Sequence, residues 1–598
     1  MSSNHAVSLR PAVAADWPAI ESLLLANALP TAGAREHLAT FLVATMAGEV
    51  VGVAGAEIYG DLALLRSVAV KPALHGRGIG RRVLEQLLFE ARRRDIARLY
   101  LLTESAPEYF ARHGFTRIAR HEAPSALRAS VEFQGVCSSA AELMVLTLRE
   151  TRPVRDDLPV AVIGAGPVGL AAVARLLERG MTPVIFEAGV RVGANLLDYG
   201  HVQLFSPWRY NIDEAMAAML AATGWQAPPA DELPPAGEVV TRVLEPFAAL
   251  PAVAAALHLK TEVLAITREG HDKVKTSGRD SAPFVIRVRH AGVVSEYRAR
   301  AVIDASGTWR TPNPIGASGL PAIGEVEHDD AIYYGIPDVL GQQRSRYAGR
   351  RTLVVGAGHS AANSLLALAE LARNAPGTHL VWSVRTDTLT RVFGGGAADG
   401  LPARGQLGMA LKALRDSGQL EFVSGLHIST ITRNNAGLRV SGSGADGREI
   451  ELTGIDQIIC ATGQRPALAM TSELRLALDP ALESAAALAE LIDPNVHSCG
   501  SVRPHGHHEL SHPEHGFYTV GVKSYGRAPT FLMMTGFEQA RSVVAALAGD
   551  MAAADRVELK LPETGVCSVA VIETVDAASS CCGPTTTKLE VEAPRCCA

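Results

Sequence analysis

Three glycines and one carboxylate have the most specific spacing in this chain. Gly164, Gly166 and Gly169 follow the apolar run Val160 to Ile163, and Glu187 closes a second apolar run, Val184 to Phe186. The spacing G-x-G-x-x-G between a strand and a helix suits a pyrophosphate. Gly164 allows the tight turn, Gly166 lets backbone approach the phosphates, and Gly169 lets helix pack on strand. Pro167 sits at the first position of a helix whose N-terminal N–H groups and dipole face the anion. Glu187 lies about 20 residues on, where a carboxylate binds a ribose hydroxyl.

The elements that position these residues recur further along. Arg351 to Ser360 reads RTLVVGAGHS, with Gly356, Gly358 and then Ala361 or Ala362 opening a second helix. Its next strand, His379 to Val384, ends on Arg385 instead of an acid. A guanidinium there suits a 2′-phosphate through paired hydrogen bonds, so the expected ligand is NADPH, with His359 and Ser360 near its pyrophosphate. Two further turns, Asp304-Ala-Ser-Gly307 and Ile458 to Pro466 (IICATGQRP), place Gly307 and Gly463 at strand ends.

This layout, over roughly residues 160 to 548, resembles the two-dinucleotide flavoproteins, namely the flavin-containing monooxygenases and the glutathione-reductase group. The resemblance implies FAD on the first glycine turn and NADPH on the second. A disulfide reductase needs a cysteine pair beside its flavin, yet no C-x-x-C or C-x-x-x-x-C occurs, and no cysteine lies between Cys137 and Cys460. A monooxygenase needs no protein nucleophile, only a site that keeps water from the activated oxygen. The monooxygenase signature F-x-G-x-x-x-H-x-x-x-F/Y is absent between the two units, and a simple NADPH oxidase stays open. Ser501 stands where such proteins place an aspartate on the ribityl chain. Phe205, Trp208 and Tyr210, in HVQLFSPWRYNID, are either a covering loop or an aromatic lid beside the flavin.

The first 150 residues alternate strand and helix signals around Leu62 to Val70 and the loop His75-Gly-Arg-Gly-Ile-Gly80. Backbone amides of such a loop form an anion nest. With YFARHGF downstream, residues 7 to 148 resemble the GNAT acetyltransferases. The segments LLTESAPEYFARHGF and VEFQGVCSSAAELMVL are similar to the ArsN-type domain of arsenic-resistance systems. The resemblance implies acetyl-CoA held by Val68, Val70, Arg77, Gly78 and Gly80, with Tyr109 as proton donor to the leaving thiolate. His75 stands where the family carries Gln or Arg, and Phe110 where many members carry the tyrosine. Glu57 and Glu104 are candidate bases.

Two segments remain. His505 to Tyr518 holds five histidines in eleven residues, with Glu509 and Glu514. It reads as a solvated loop, as metal ligands, or, in the preferred reading, as a substrate site with Lys523, Tyr525 and Arg527 at its rim. The last 32 residues hold five of the eight cysteines, including the adjacent pairs Cys581-Cys582 and Cys596-Cys597. Converging thiolates suit a soft ion such as trivalent arsenic, and the terminal pair resembles that of mercuric reductase.

The bulk composition agrees with an enzyme of several domains. Apolar residues make up 47% and charged residues 20%, enough for large cores. A net charge of −6 argues against a nucleic-acid partner. No apolar leader and no 18-residue apolar run are visible, so a cytoplasmic protein without membrane contact is expected. The expected fold class is α/β: a GNAT domain (1–150), an FAD-binding domain in two parts (159–345 and 471–550) around an NADPH-binding domain (346–470), and a flexible cysteine-rich tail (551–598). The expected activity is an FAD- and NADPH-dependent monooxygenase oxidising a small trivalent, methylated or unmethylated, arsenical, joined to an N-acetyltransferase. The alternatives are an N- or S-oxygenase of an organic substrate and a thiol-rich arsenic-binding protein. Nothing in the sequence sets the oligomeric state.

Overall fold

The computed structural model describes residues 7–148 and 157–559, apart from 61, 95, 125, 126, 129, 137–140, 387, 388, 390–392, 394, 395, 397, 398, 496–501 and 530. The tail cysteines Cys567, Cys581, Cys582, Cys596 and Cys597 therefore lie outside the described residues, as does Ser501.

The N-terminal domain is one seven-stranded sheet in the order β1-β2-β3-β4-β5-β7-β6. Its strands are β1 (Ser8–Pro11), β2 (Leu42–Met46), β3 (Glu49–Tyr59), β4 (Leu62–Val70), β5 (Arg98–Thr103), β6 (Thr116–Ile118) and β7 (Glu142–Thr147). Helix α1 (Trp17–Ala26) covers one face and α2 (Ile79–Arg93) the other; α3 (Pro107–Ala111) follows β5. The periodic apolar residues of α2, Val83, Leu84, Leu87, Leu88 and Ala91, are all buried, as their spacing on one helical face predicts. Strand β4 pairs with β5 in parallel only from Leu62 to Leu65. Beyond that it bulges against β3, with Ser67 at φ +58°, and its end parts from β5.

The rest of the chain is built twice on one plan. In the first copy β8 (Val160–Ile163), β9 (Pro183–Phe186), β10 (Leu257–His258), β14 (Ala301–Asp304) and β23 (Phe517–Thr519) form a parallel sheet, β10-β9-β8-β14-β23. An antiparallel three-stranded sheet, β11 (Thr261–Arg268), β12 (Phe284–His290) and β13 (Val293–Ala299), is inserted between β10 and β14. In the second copy β15 (Ile332–Tyr334), β16 (Arg351–Val355), β17 (His379–Ser383), β18 (Glu421–Val423) and β22 (Gln457–Cys460) pair in parallel as β15-β22-β16-β17-β18. Its antiparallel insert is β19 (His427–Asn434), β20 (Gly437–Ser443) and β21 (Glu449–Ile455). Parallel strands need crossover helices, and both faces are then buried, so β8, β9 and β14 read as unbroken apolar runs. Strand β23, from the return segment, pairs in parallel with β14 at the edge of the first sheet.

The tail does not begin at residue 551. Met551–Asp555 is helical, capped by the Asp550 carboxylate, and buries Ala553 and Ala554 against the helix Met533–Leu547. Small apolar residues that read as low complexity are here the contact surface of a docked helix. No helix among the described residues is long and apolar enough to cross a membrane.

Candidate nucleotide and acetyl-transfer sites

The first glycine turn has the geometry its spacing predicts. Gly164 adopts φ +93°, and a Cβ there would lie 2.7 Å from the Ala305 carbonyl oxygen. A Cβ on Gly169 would overlap the Gly164 carbonyl. Gly166 faces open space and caps α4 (Pro167–Glu178) without any side-chain hydrogen bond. Its helix therefore keeps free N–H groups for an anion. Glu187, at the end of β9, accepts from Ala165 N at 2.8 Å and Gly189 N at 2.7 Å, which holds the carboxylate at the rim of the turn. These features fit a dinucleotide such as FAD. Gly307 (φ +74°) follows β14 beside Asn195 and Val522. Asn195 and the tilted pair Tyr199 and Trp309, with ring centroids 4.6 Å apart, are neighbours that the spacing of motifs could not reveal.

The second turn repeats these contacts. Gly356 (φ +134°) packs on the Ala461 carbonyl, Gly358 is open, and Gly463 (φ +86°) follows β22. Ala361 and Ala362 are fully buried where a third glycine would pack. His359 opens the helix His359–Asn374, and its ring lies 5.3 Å from Phe205, centroid to centroid. Burial first, and then the Arg404 charge, lower its pKa, so the imidazole is neutral at pH 7. Ser360 is half-buried beside it. Arg385 is exposed just past β17 and donates to the Ala317 carbonyl at 3.0 Å. The donor set fits a dinucleotide carrying a 2′-phosphate.

Several site residues are placed differently from the expected rim. Lys523 and Tyr525 are buried, and only Arg527 is exposed. Lys523 Nζ reaches Asp304 Oδ2 at 2.7 Å and donates to Ser306 Oγ at 3.0 Å. A buried ammonium needs a carboxylate, and Asp304 at the end of β14 supplies it. Tyr525 packs between His505 and Phe531, and burial raises its pKa above the usual phenol range.

The histidine-rich segment is largely internal clasp. Gln539 Nε2 donates to His505 Nε2 and Ser524 Oγ, each at 2.9 Å, and its Oε1 accepts from Gly521 N. Glu514 accepts from Arg268 at 2.7 Å, Arg279 at 2.8 Å and Arg475 N at 3.0 Å, and these contacts hold its pKa down against burial. Burial pushes His512 down to about 4. Of the aromatic trio, Trp208 is core, Phe205 reaches the second turn, and Tyr210 is half-buried under the Arg209 guanidinium.

In the N-terminal domain Gly76 and Gly78 have positive φ and open space at the Cβ position, and Gly78 caps α2 without a side-chain bond. His75 Nε2 contacts the Val70 carbonyl at 2.8 Å, and Arg77 is exposed. Val68 and Val70 are half-buried on the diverging end of β4. The Tyr109 hydroxyl is buried without a hydrogen-bond partner among the described residues and lies 3.5 Å from where a Gly80 Cβ would stand. Free amides, a gap between β4 and β5, and an unpartnered hydroxyl beside the loop fit the pantetheine and pyrophosphate of acetyl-CoA. Across β4 the candidate base Glu57 sits in a buried cluster with Arg66 and Glu132, neither of which the sequence flagged. Buried Arg66 pairs with Glu57 and lies 3.3 Å from Glu132, and its Nη2 donates to the Ala32 carbonyl. Burial and the neighbouring Glu57 charge push Glu132 up to about 7, against the Arg66 charge. Glu104 is exposed.

Two family models match. The acetyltransferase (GNAT) domain matches residues 37–117, and the pyridine nucleotide-disulphide oxidoreductase model matches residues 161–484. An amino-acid acetyltransferase of Mycobacterium tuberculosis is 44% identical over 72 residues, 12% of this chain and 41% of the relative. A ferredoxin--NADP reductase of Metallosphaera sedula is 31% identical over 109 residues, 18% of this chain and 28% of the relative. The chain thus spans less than half the length of these curated relatives. Among solved structures, the bacillithiol disulfide reductase Bdr of Bacillus cereus is similar at 16% identity and TM-score 0.47, covering 66% of this chain and 99% of that one. The ornithine N-hydroxylase KtzI of Kutzneria sp. 744 is similar at 17% and 0.45, covering 66% and 99%. The families make the chain an enzyme and imply FAD, NADP(H) and acetyl-CoA as cofactors.

Proposed function

Because the chain belongs to the pyridine nucleotide-disulphide oxidoreductase family, we propose that its flavin module is an NADPH-dependent monooxygenase of a small trivalent arsenical, fused to an acetyltransferase. One observation carries the choice of oxygenase over disulfide reductase. Among the described residues the single cysteine is Cys460, buried at the second turn, with its thiol pushed up to about 11 chiefly by burial. A neutral lone thiol cannot run dithiol exchange. When bound, FAD supplies two-electron redox chemistry and oxygen activation, with NADPH as hydride donor.

The chain's own residues do the rest. Gly166 and the N-terminus of α4 would hold the pyrophosphate, and Glu187 the ribose. The Lys523–Asp304 pair fixes the strand end beneath Ser306 and Gly307. His359 and Arg385 would orient the donor nucleotide. The arsenical assignment rests on the ArsN-like segments of the first domain and on the thiol-rich end of the sequence. In the first domain, Glu132 would take a proton from the incoming amine while Tyr109 returns one to the departing sulfur.

The test is oxygen and NADPH consumption by the purified yellow protein, with and without methylarsenite. Stimulated turnover with matched formation of the pentavalent product supports the reading. NADPH oxidation that ignores trivalent arsenicals but responds to an amine or thioether would favour the N- or S-oxygenase. Arsenite bound without any turnover would leave a thiol-rich binding protein.

A further inference from the structure

Two imidazoles of the histidine-rich segment meet outside the Gln539 and Glu514 contacts. His507 and His508 both aim Nε2 at one oxygen of Asp555, at 2.8 and 3.0 Å. The donor atoms of all three residues lie within 4.8 Å of one another. The two rings are neighbours in sequence, yet they turn to the same side, with centroids 3.9 Å apart.

The two segments that bring these residues together are pinned to one helix. His507 N donates to Ser542 Oγ at 3.0 Å, and the same hydroxyl donates to the Ala554 carbonyl at 2.7 Å. Arg541 donates to the Ala553 carbonyl at 2.7 Å and is itself held by Glu538. Gly506 is required there, since a Cβ would overlap Ser542 Oγ and push the loop off the helix. Donor positions are thus fixed before any ligand arrives, as a metal site requires.

We propose that His507, His508 and Asp555 bind a divalent cation of the borderline class (zinc, nickel, cobalt or copper), with water completing the shell. Two imidazole nitrogens and one carboxylate oxygen suit these ions, whereas magnesium and calcium select all-oxygen sites. The side chains of His508 and Asp555 are 69% and 54% exposed, which leaves the outer coordination positions to solvent. The cation would clamp the docked helix Met551–Asp555 onto the return segment of the flavin domain.

The experiment uses the full chain with Cys567, Cys581, Cys582, Cys596 and Cys597 replaced by serine, so that thiols do not compete. Chelator-stripped protein is titrated with zinc by calorimetry and with copper by electron paramagnetic resonance. The expected result is one tight equivalent, a copper spectrum coupled to two nitrogens, and a higher melting temperature with zinc. His508→Ala and Asp555→Asn alter exposed side chains and should leave flavin absorbance unchanged. Each should weaken zinc at least about tenfold, and His508→Ala should leave copper coupled to one nitrogen. Unchanged zinc affinity in both variants, or no bound equivalent in the parent, would overturn the site.

Discussion

The two glycine turns are one design used for two purposes, and their differences say more than their likeness. In both, the first glycine adopts a positive φ and packs on an alanine carbonyl, Ala305 in one and Ala461 in the other. Both second glycines face open space. The copies part at three places. The first ends on Glu187, tied down by two backbone amides, and the second on Arg385, exposed and holding one carbonyl. The first packs helix on strand through Gly169, whereas the second has buried Ala361 and Ala362. The strand before the return turn ends on an ion-paired Asp304 in one and on Cys460 in the other. A fixed carboxylate suits a resident cofactor; an exposed guanidinium suits a ligand that comes and goes.

The largest effect should come from separating the copies. Gly164→Val brings a branched side chain onto the Ala305 carbonyl at a φ that β-branched residues avoid. The purified variant should be colourless. Gly356→Val should stay yellow and be reduced by dithionite but not by NADPH, as read by absorbance at the flavin band. If both variants lose flavin alike, the two turns are not independent sites. A smaller effect tests the sign of the ligand's charge. Arg385→Ala should raise the KM for NADPH by roughly 30-fold, the loss of one charged hydrogen-bonding pair worth about 2 kcal/mol. The KM for NADH should hardly move. Equal loss with both nucleotides would mean that Arg385 only braces Ala317.

The comparison also explains what the sequence could and could not reveal. Glycine spacing is backbone chemistry, and it reads directly: β8, β16 and both turns lie where the motifs put them. Polar side chains on irregular segments do not read directly, because their partners come from distant residues. Lys523 sits 219 positions from Asp304, and Arg268 lies 246 from Glu514. A histidine-rich loop followed by Lys523 therefore reads as a solvent-facing substrate rim, while Glu514 and Lys523 are paired indoors. Glu132 was invisible for the same reason, since its meaning depends on Arg66 across the sheet.

The return turns give the next test, again by contrast. Lys523→Met leaves the Asp304 carboxylate buried without its cation, which should cost about 3–5 kcal/mol and lower the melting temperature of the flavin module. Adding Asp304→Asn to that variant should restore much of the loss, because both charges are then gone. If Lys523→Met is stable but its substrate KM rises, the ammonium serves substrate instead of fold.

Cys460→Ser at the other return turn should do least. The thiol is 3% exposed and makes only soft contacts, to the Asn313 carbonyl at 3.5 Å and Thr462 Oγ at 3.2 Å. NADPH turnover at pH 7 should be unchanged, because an oxygenase asks nothing of this sulfur. A pH dependence should nevertheless separate the two proteins. Burial raises the folded thiol to about 11 from an ordinary 9. A raised folded pKa adds stability that is fully present below the unfolded pKa and lost as pH climbs through the folded one. Wild type should therefore lose stability between about pH 9 and 11 relative to Cys460→Ser, in denaturant titrations at successive pH values. Loss of turnover in Cys460→Ser at neutral pH would be the more serious outcome. It would restore thiol chemistry to the reaction and make the second turn more than a nucleotide cradle.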